Sequence, residues 1–305
     1  MLVVPPDIRF VRSRTTPVSL PRRGTTLGGI VADRPLEVVF EERGGSPGAP
    51  TVVFLHNGGA HRGIWKPVIA RMDPAWRVLA VDFPGYGDSD APVSGFRRAD
   101  YARVLELFLG TQVDDPAPVL VGNCMGSAFA WTVAIANPDR IGALVLINPL
   151  TEATARRGPW GWLLPIPKRF DLGRLAGWVR LPWLTTVVTL IPQLGLTGLR
   201  RGLWWNPELT RQWRDTGRVR PIASLFHDIG GYAALDRFER PTRWPWTAMV
   251  WGTANWGLSP RAGADLATGL KPDMDVKLRG AGHLAMLEEP ERITEVIRQA
   301  VRMRD

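Results

Sequence analysis

Cysteine is nearly absent from this chain: Cys124 is the only one in 305 residues. An internal disulfide is therefore excluded, and the fold does not depend on an oxidising compartment. Lysine is almost as scarce, with Lys66, Lys168, Lys271 and Lys277 alone. The net charge of +9 thus comes from arginine. Those arginines are scattered along the whole chain, with no basic stripe interleaved with aromatics, so no nucleic-acid partner is implied. No zinc-ligand spacing is present, and no metal or organic cofactor is implied. A clean apolar run is missing too. Leu181 to Leu199 carries no charge and is long enough for a membrane span. Pro182, Pro192, Gly195 and Gly198 interrupt it and Gln193 adds polarity, so it reads as a pair of apolar lid helices. Met1 to Arg14 is broken by Pro5 and Pro6 and has no leader-like apolar core, which makes the cytoplasm the expected location.

The 45% hydrophobic and 22% charged residues are those of a soluble globular protein with room for one large core, or a core and a lid. Short apolar runs at Leu36–Phe40, Thr51–His56, Arg77–Asp82, Pro118–Asn123, Ala143–Asn148, Thr247–Gly252 and Asp275–Leu278 read as strands. Helical patterns at Ile64–Met72, Asp100–Leu109, Met125–Asn137, Pro260–Ala267 and Pro290–Arg302 alternate with them. The rhythm predicts an α/β fold with a mostly parallel, doubly wound sheet. Residues 36–149 and 243–305 form the expected core. Residues 150–242, rich in Trp, Leu, Pro and Arg and without a clear strand, form an inserted helical lid. Residues 1–35 form a loose N-terminal arm.

Cys124 stands in Gly122-Asn123-Cys124-Met125-Gly126, after an apolar strand and before a small-residue helix. Glycine at both flanks permits a sharp strand-to-helix turn that lifts the central side chain off the sheet. A buried structural cysteine is the plain alternative. Four further segments argue against it: Phe54-Leu55-His56-Asn57-Gly58-Gly59, Asp82-Phe83-Pro84-Gly85-Tyr86-Gly87-Asp88-Ser89, Trp251-Gly252-Thr253-Ala254-Asn255, and Gly280-Ala281-Gly282-His283. In this order, over nearly all of 36–301, the chain resembles the α/β-hydrolase family, with cysteine in place of the usual serine.

The resemblance implies a role for each position. Cys124 is the nucleophile, His283 the general base and acid, and Asn255 the third member of the triad. Backbone N–H groups of Gly58 and Met125 form the oxyanion hole. Asn57, His61, Trp251 and Trp256 are expected at the substrate, and His56 to hold the oxyanion loop. Asn255 departs from the family, which has a carboxylate there. Asn148, at the alternative position after the preceding strand, is also an amide. A thiol needs less help than a hydroxyl, and an amide can still orient an imidazole, so the two departures agree. A nearby histidine and a helix N-terminus are expected to favour the thiolate. Ser127 is off the apex and is discounted. An aspartate nucleophile, as in dehalogenases of this fold, is excluded.

The expected function is acyl transfer through a thioester on an apolar ester, thioester or lactone. The acceptor stays open between water, an alcohol, an amine and a thiol. The alternatives are a non-hydrolytic cyclase or lyase, and a non-catalytic binding protein on the same scaffold. Trp160, Trp162, Trp178, Trp183, Trp204, Trp205 and Trp213 either face a large apolar acyl group or pack the lid. Arg156, Arg157, Arg200, Arg201, Arg211 and Arg214 are either plain surface arginines or a landing face for an acyl carrier or coenzyme A.

Overall fold

The computed structural model describes residues 8–13, 25–27, 30–32, 35–46, 48–164, 182–210 and 219–304. Ten strands occur there: β1 Ile8–Arg12, β2 Thr25–Leu27, β3 Ile30–Ala32, β4 Leu36–Arg43, β5 Thr51–Leu55, β6 Arg77–Val81, β7 Val119–Asn123, β8 Ala143–Ile147, β9 Trp246–Gly252 and β10 Met274–Leu278. Eight of them form one sheet in the order β1-β4-β6-β5-β7-β8-β9-β10. From β6 to β10 all neighbours are parallel, whereas β4 meets β6 antiparallel. Each of the seven expected strands starts within one residue of its expected position. The central strands β5, β7 and β8 are buried at every residue. Helices on both faces leave them no solvent side, so their apolar runs are continuous.

The N-terminal expectation needs correction. Ile8–Arg12 is not part of a loose arm but an edge strand of the main sheet, parallel to Leu36–Phe40. Ile30 and Ala32 close a small apolar cluster with Leu36 and Val104. The insertion between β8 and β9 is helical throughout its described elements, as expected of a lid. Its longest piece, Pro182–Arg200, holds Pro192 and breaks at Gly195, whose φ of 54° and ψ of −166° separate two helical halves. No described helix is long and apolar enough to cross a membrane.

Strand order positions the site. β5 is followed in sequence by β6 on one side and paired with β7 on the other. This reversal opens a crevice at the carboxyl ends of β5 and β7, where ligands bind in open α/β sheets. His56 to Gly59 leave β5 there, and Cys124 leaves β7.

Candidate active site

Cys124 occupies the apex of the elbow with φ of 52° and ψ of −110°, a conformation side chains rarely adopt. The flanking glycines are required by contact. A Cβ on Gly122 would lie 2.4 Å from the backbone of Gly126, and one on Gly126 would lie 2.3 Å from the Leu55 carbonyl oxygen. The helix Met125–Ala136 can start here only because both are bare. Cys124 N–H donates to Ile147 O (2.9 Å), which anchors the apex to β8. The backbone N–H groups of Met125 and Gly58 both point at the sulfur. Ser127 is occupied elsewhere: its buried hydroxyl bonds Gly122 O and Ile147 O at 2.7 and 3.0 Å.

The loop carrying Gly58 is held from below. His56 is fully buried, with Nδ1 on Asn57 O (2.8 Å) and Nε2 accepting from Phe83 N–H (3.0 Å). The Asp82 segment is likewise structural. Its carboxylate accepts from the N–H groups of Arg62 and Asp88 and from the Arg62 guanidinium.

His283 meets Asn255, with Nδ1 3.2 Å from Oδ1. That oxygen also accepts from the backbone N–H groups of Gly257 (2.9 Å) and Leu258 (3.0 Å). These two donors fix which end of the amide is oxygen, so Nδ1 must be the donor in its bond to Asn255. The proton therefore sits on Nδ1, and Nε2 keeps a free lone pair. Asn148 has another task. Its Nδ2 donates to His283 O (3.1 Å) and its Oδ1 accepts from Gly252 N–H (3.0 Å). It fixes the histidine loop's backbone, while Leu150 N–H donates to Cys124 O (3.2 Å). One turn thus ties the two loops together. Among the described hydrogen bonds none runs from Cys124 to His283. Such bonds often tighten only in the substrate complex.

The electrostatics correct the expected thiolate. Burial pushes the Cys124 thiol up to about 12, against a smaller pull downward from the Met125 and Gly58 N–H groups. Burial also lowers His283 to about 4. Both groups are neutral near pH 7, because the closed site leaves neither charge any water. His56 is lowered to about 4 for the same leading reason. This has a consequence for stability. The unfolded chain takes up protons at these histidines near pH 6.5, the folded chain only near 4. The stability they contribute is full above pH 6.5 and is lost as pH falls towards 4, by about 3 kcal/mol for each. Urea unfolding at pH 7 and pH 4.5 should show this loss, and His283→Gln should show a smaller one. Equal losses in both proteins would contradict the neutral burial of His283.

The lid closes on these loops. Leu225, in the lid helix Val219–His227, approaches within 2.8 Å of where a Cβ on Gly58 would stand. The Pro192 carbonyl and His283 Nδ1 flank Gly257. Asn57 Nδ2 donates to Gln193 Oε1 (2.5 Å) and to Gly58 O (3.1 Å), so it joins the oxyanion loop to the lid.

Other expected residues lie differently. Trp251 is a correction: its ring packs in the core against Gly263 of the helix Pro260–Leu270, not at the substrate. Trp256 sits on the seam of lid and core, beside Gly195 and edge-on to Trp160 at 5.6 Å. His61 caps the turn Arg62–Trp65 and faces Glu208 of the lid, 3.6 Å from Nε2 to Oε2. Trp204 packs partly on the core, and Trp162 and Trp205 are 69% and 81% exposed, so these three do not form an acyl pocket. Arg156 pairs with Glu152, Arg157 with Asp265 and Arg201 with Glu289, which occupies three of the arginines considered for a carrier. Trp178, Trp213, Arg211 and Arg214 lie outside the described residues.

Several site residues had no sequence signal of their own. Leu225 and Gln193 arrive through lid packing. Tyr86 and Tyr232 are buried with no hydrogen-bond partner on either hydroxyl, as is the side-chain amide of Asn123 next to Cys124.

Residues 50–290 match the family model described as alpha/beta hydrolase fold. The chain is similar to the 2-hydroxy-6-oxononadienedioate/2-hydroxy-6-oxononatrienedioate hydrolase of Cupriavidus pinatubonensis, 37% identical over 117 residues. That match spans 37% of this chain and 40% of the relative, less than half of its length. The hydrolase of the same name from Escherichia coli is 26% identical over 279 residues, 87% of this chain and 91% of that protein. Among solved structures, a thermophilic esterase from Thermogutta terrifontis superposes with a TM-score of 0.71 at 22% identity, over 89% of this chain and 95% of its own. At that identity the likeness concerns the fold alone.

Proposed function

The chain belongs to the α/β hydrolase fold family, and on that premise we propose that it is a hydrolase that cleaves a carbonyl substrate through a thioester on Cys124. The observation that carries this reading is the pair of N–H groups, from Met125 and Gly58, converging on one sulfur at the elbow apex. The same donors would receive the negative oxygen that forms when the sulfur attacks a carbonyl carbon.

The proton moves with the attack. A neutral thiol and a neutral imidazole make no resting ion pair, so Cys124 gives its proton to His283 Nε2 as the carbon–sulfur bond forms. Asn255 keeps the other proton on Nδ1, which leaves Nε2 free to accept. The imidazolium then protonates the leaving group. In the second half His283 takes a proton from water, the hydroxide oxygen attacks the thioester, and the thiol is restored. Water is the acceptor we favour, since the Cupriavidus and Escherichia coli relatives are both named as hydrolases. Leu225 and the kinked helix Pro182–Arg200 must withdraw for entry. Acyl delivery by a carrier finds no support in the paired lid arginines and forms no part of this reading.

A common thioester has a measurable signature. Esters that share an acyl group but differ in leaving group should give one ratio of methyl ester to free acid when methanol competes with water. A ratio that follows the leaving group would exclude the shared intermediate.

A further inference from the structure

The chain has three tyrosines against fourteen tryptophans and ten phenylalanines. All three tyrosines are buried, and two have hydroxyls with no partner. Tyr232 is fully buried at the end of the lid turn Ile229–Tyr232. Its place is fixed by its surroundings. Arg98 donates from its backbone N–H to Asp228 Oδ2 (2.7 Å), from Nε to Gly231 O (2.8 Å) and from its guanidinium to Thr132 in the elbow helix (2.6 Å). A negative charge on Tyr232 would be opposed by Asp228, Tyr86 and Cys124, which lie near it. Tyr86 comes from the turn that follows β6. Its hydroxyl lies 3.9 Å from where a Cβ on Gly58 would stand, at the wall of the oxyanion hole. Its ring is packed edge-on against His56.

Buried hydroxyls without partners are rare, because each forfeits its bonds to water. Phenylalanine would fill the same space without that loss. Burial keeps both phenols protonated far above their ordinary range, so each remains a donor at any working pH. Tyr86 beside the oxyanion loop and Tyr232 in the lid turn near it are donors without partners in the closed site, suited to an oxygen that arrives with the ligand.

We propose that Tyr232 and Tyr86 bind an oxygen on the acyl side of the substrate, so that the protein takes an oxo- or hydroxy-acyl compound rather than a plain alkanoyl one. This rests on Cys124 being the centre of the site, and it specifies the substrate class for the reaction proposed there. It also replaces the purely apolar chain expected from the lid tryptophans.

Binding tests it apart from the covalent chemistry. The full chain carrying Cys124→Ala is titrated, by tryptophan fluorescence, with aryl hexanoates bearing one keto group at successive carbons, and with the unsubstituted hexanoate. At least one keto ester should bind about tenfold or more tightly than hexanoate. Adding Tyr232→Phe should remove that preference, so that the keto ester and hexanoate bind alike, and Tyr86→Phe should reduce it. Thermal unfolding checks that each variant is folded. The proposal is overturned if no keto position is preferred, or if the preference survives in both phenylalanine variants. Failure of the nucleophile reading is seen separately, as unmodified Cys124 in the protein that retains it.

Discussion

Replacing Cys124 by alanine should lower kcat on an ester substrate by about ten-thousandfold or more. In the proposed mechanism every later step acts on a bond that begins at this sulfur, so no other group would take over its part. His283, the N–H groups of Met125 and Gly58, and the lid all remain in Cys124→Ala, and their residual contribution sets the floor. The buried thiol is small, so the variant should stay folded. Activity within tenfold of the parent, with an unchanged melting temperature, would remove Cys124 from the mechanism.

Serine at this position gives the second large effect, through Asn255. A hydroxyl must lose its proton to a histidine whose charged form has no carboxylate beside it. Cys124→Ser should therefore fall by about a thousandfold or more. Asn255→Asp changes the balance. Its oxygen can take the Gly257 and Leu258 N–H groups that now bind Oδ1, and its charge stabilises protonated His283. The combined variant should recover about a hundredfold or more over Cys124→Ser alone. In the cysteine protein the same change should raise the His283 pKa from about 4, so the acid limb of kcat/KM moves to higher pH. The carboxylate costs something: Asn255 Nδ2 is buried with no partner, and an oxygen in its place would be equally unsatisfied. Pre-steady-state rates of the four proteins across pH provide the test. A serine variant indifferent to Asn255→Asp would show that residue 255 does not act through the imidazole.

Much of this was legible because it is local. The elbow depends on glycines two residues from Cys124, and strand starts depend on runs of five apolar residues. Asn255 and His283 each follow a strand end, and the sheet order brings those ends together. What escaped depends on packing across the lid. The thiolate was expected from a nearby histidine and a helix N-terminus, whereas its suppression comes from burial of the sulfur, which only the folded chain creates. Trp251 stands on a strand buried on both faces, so no alternation says which face its ring takes. Ile8–Arg12 has weak alternation, and the surrounding arginines and prolines obscured it as an edge strand.

The central claim is a thioester on Cys124. Intact-protein mass after millisecond mixing with an aryl ester and acid quench measures it directly. The account predicts a gain equal to the acyl group, located by digestion to Cys124, released by hydroxylamine at neutral pH and absent from Cys124→Ala. Rapid turnover with no adduct at Cys124, together with undiminished turnover in Cys124→Ala, would contradict it.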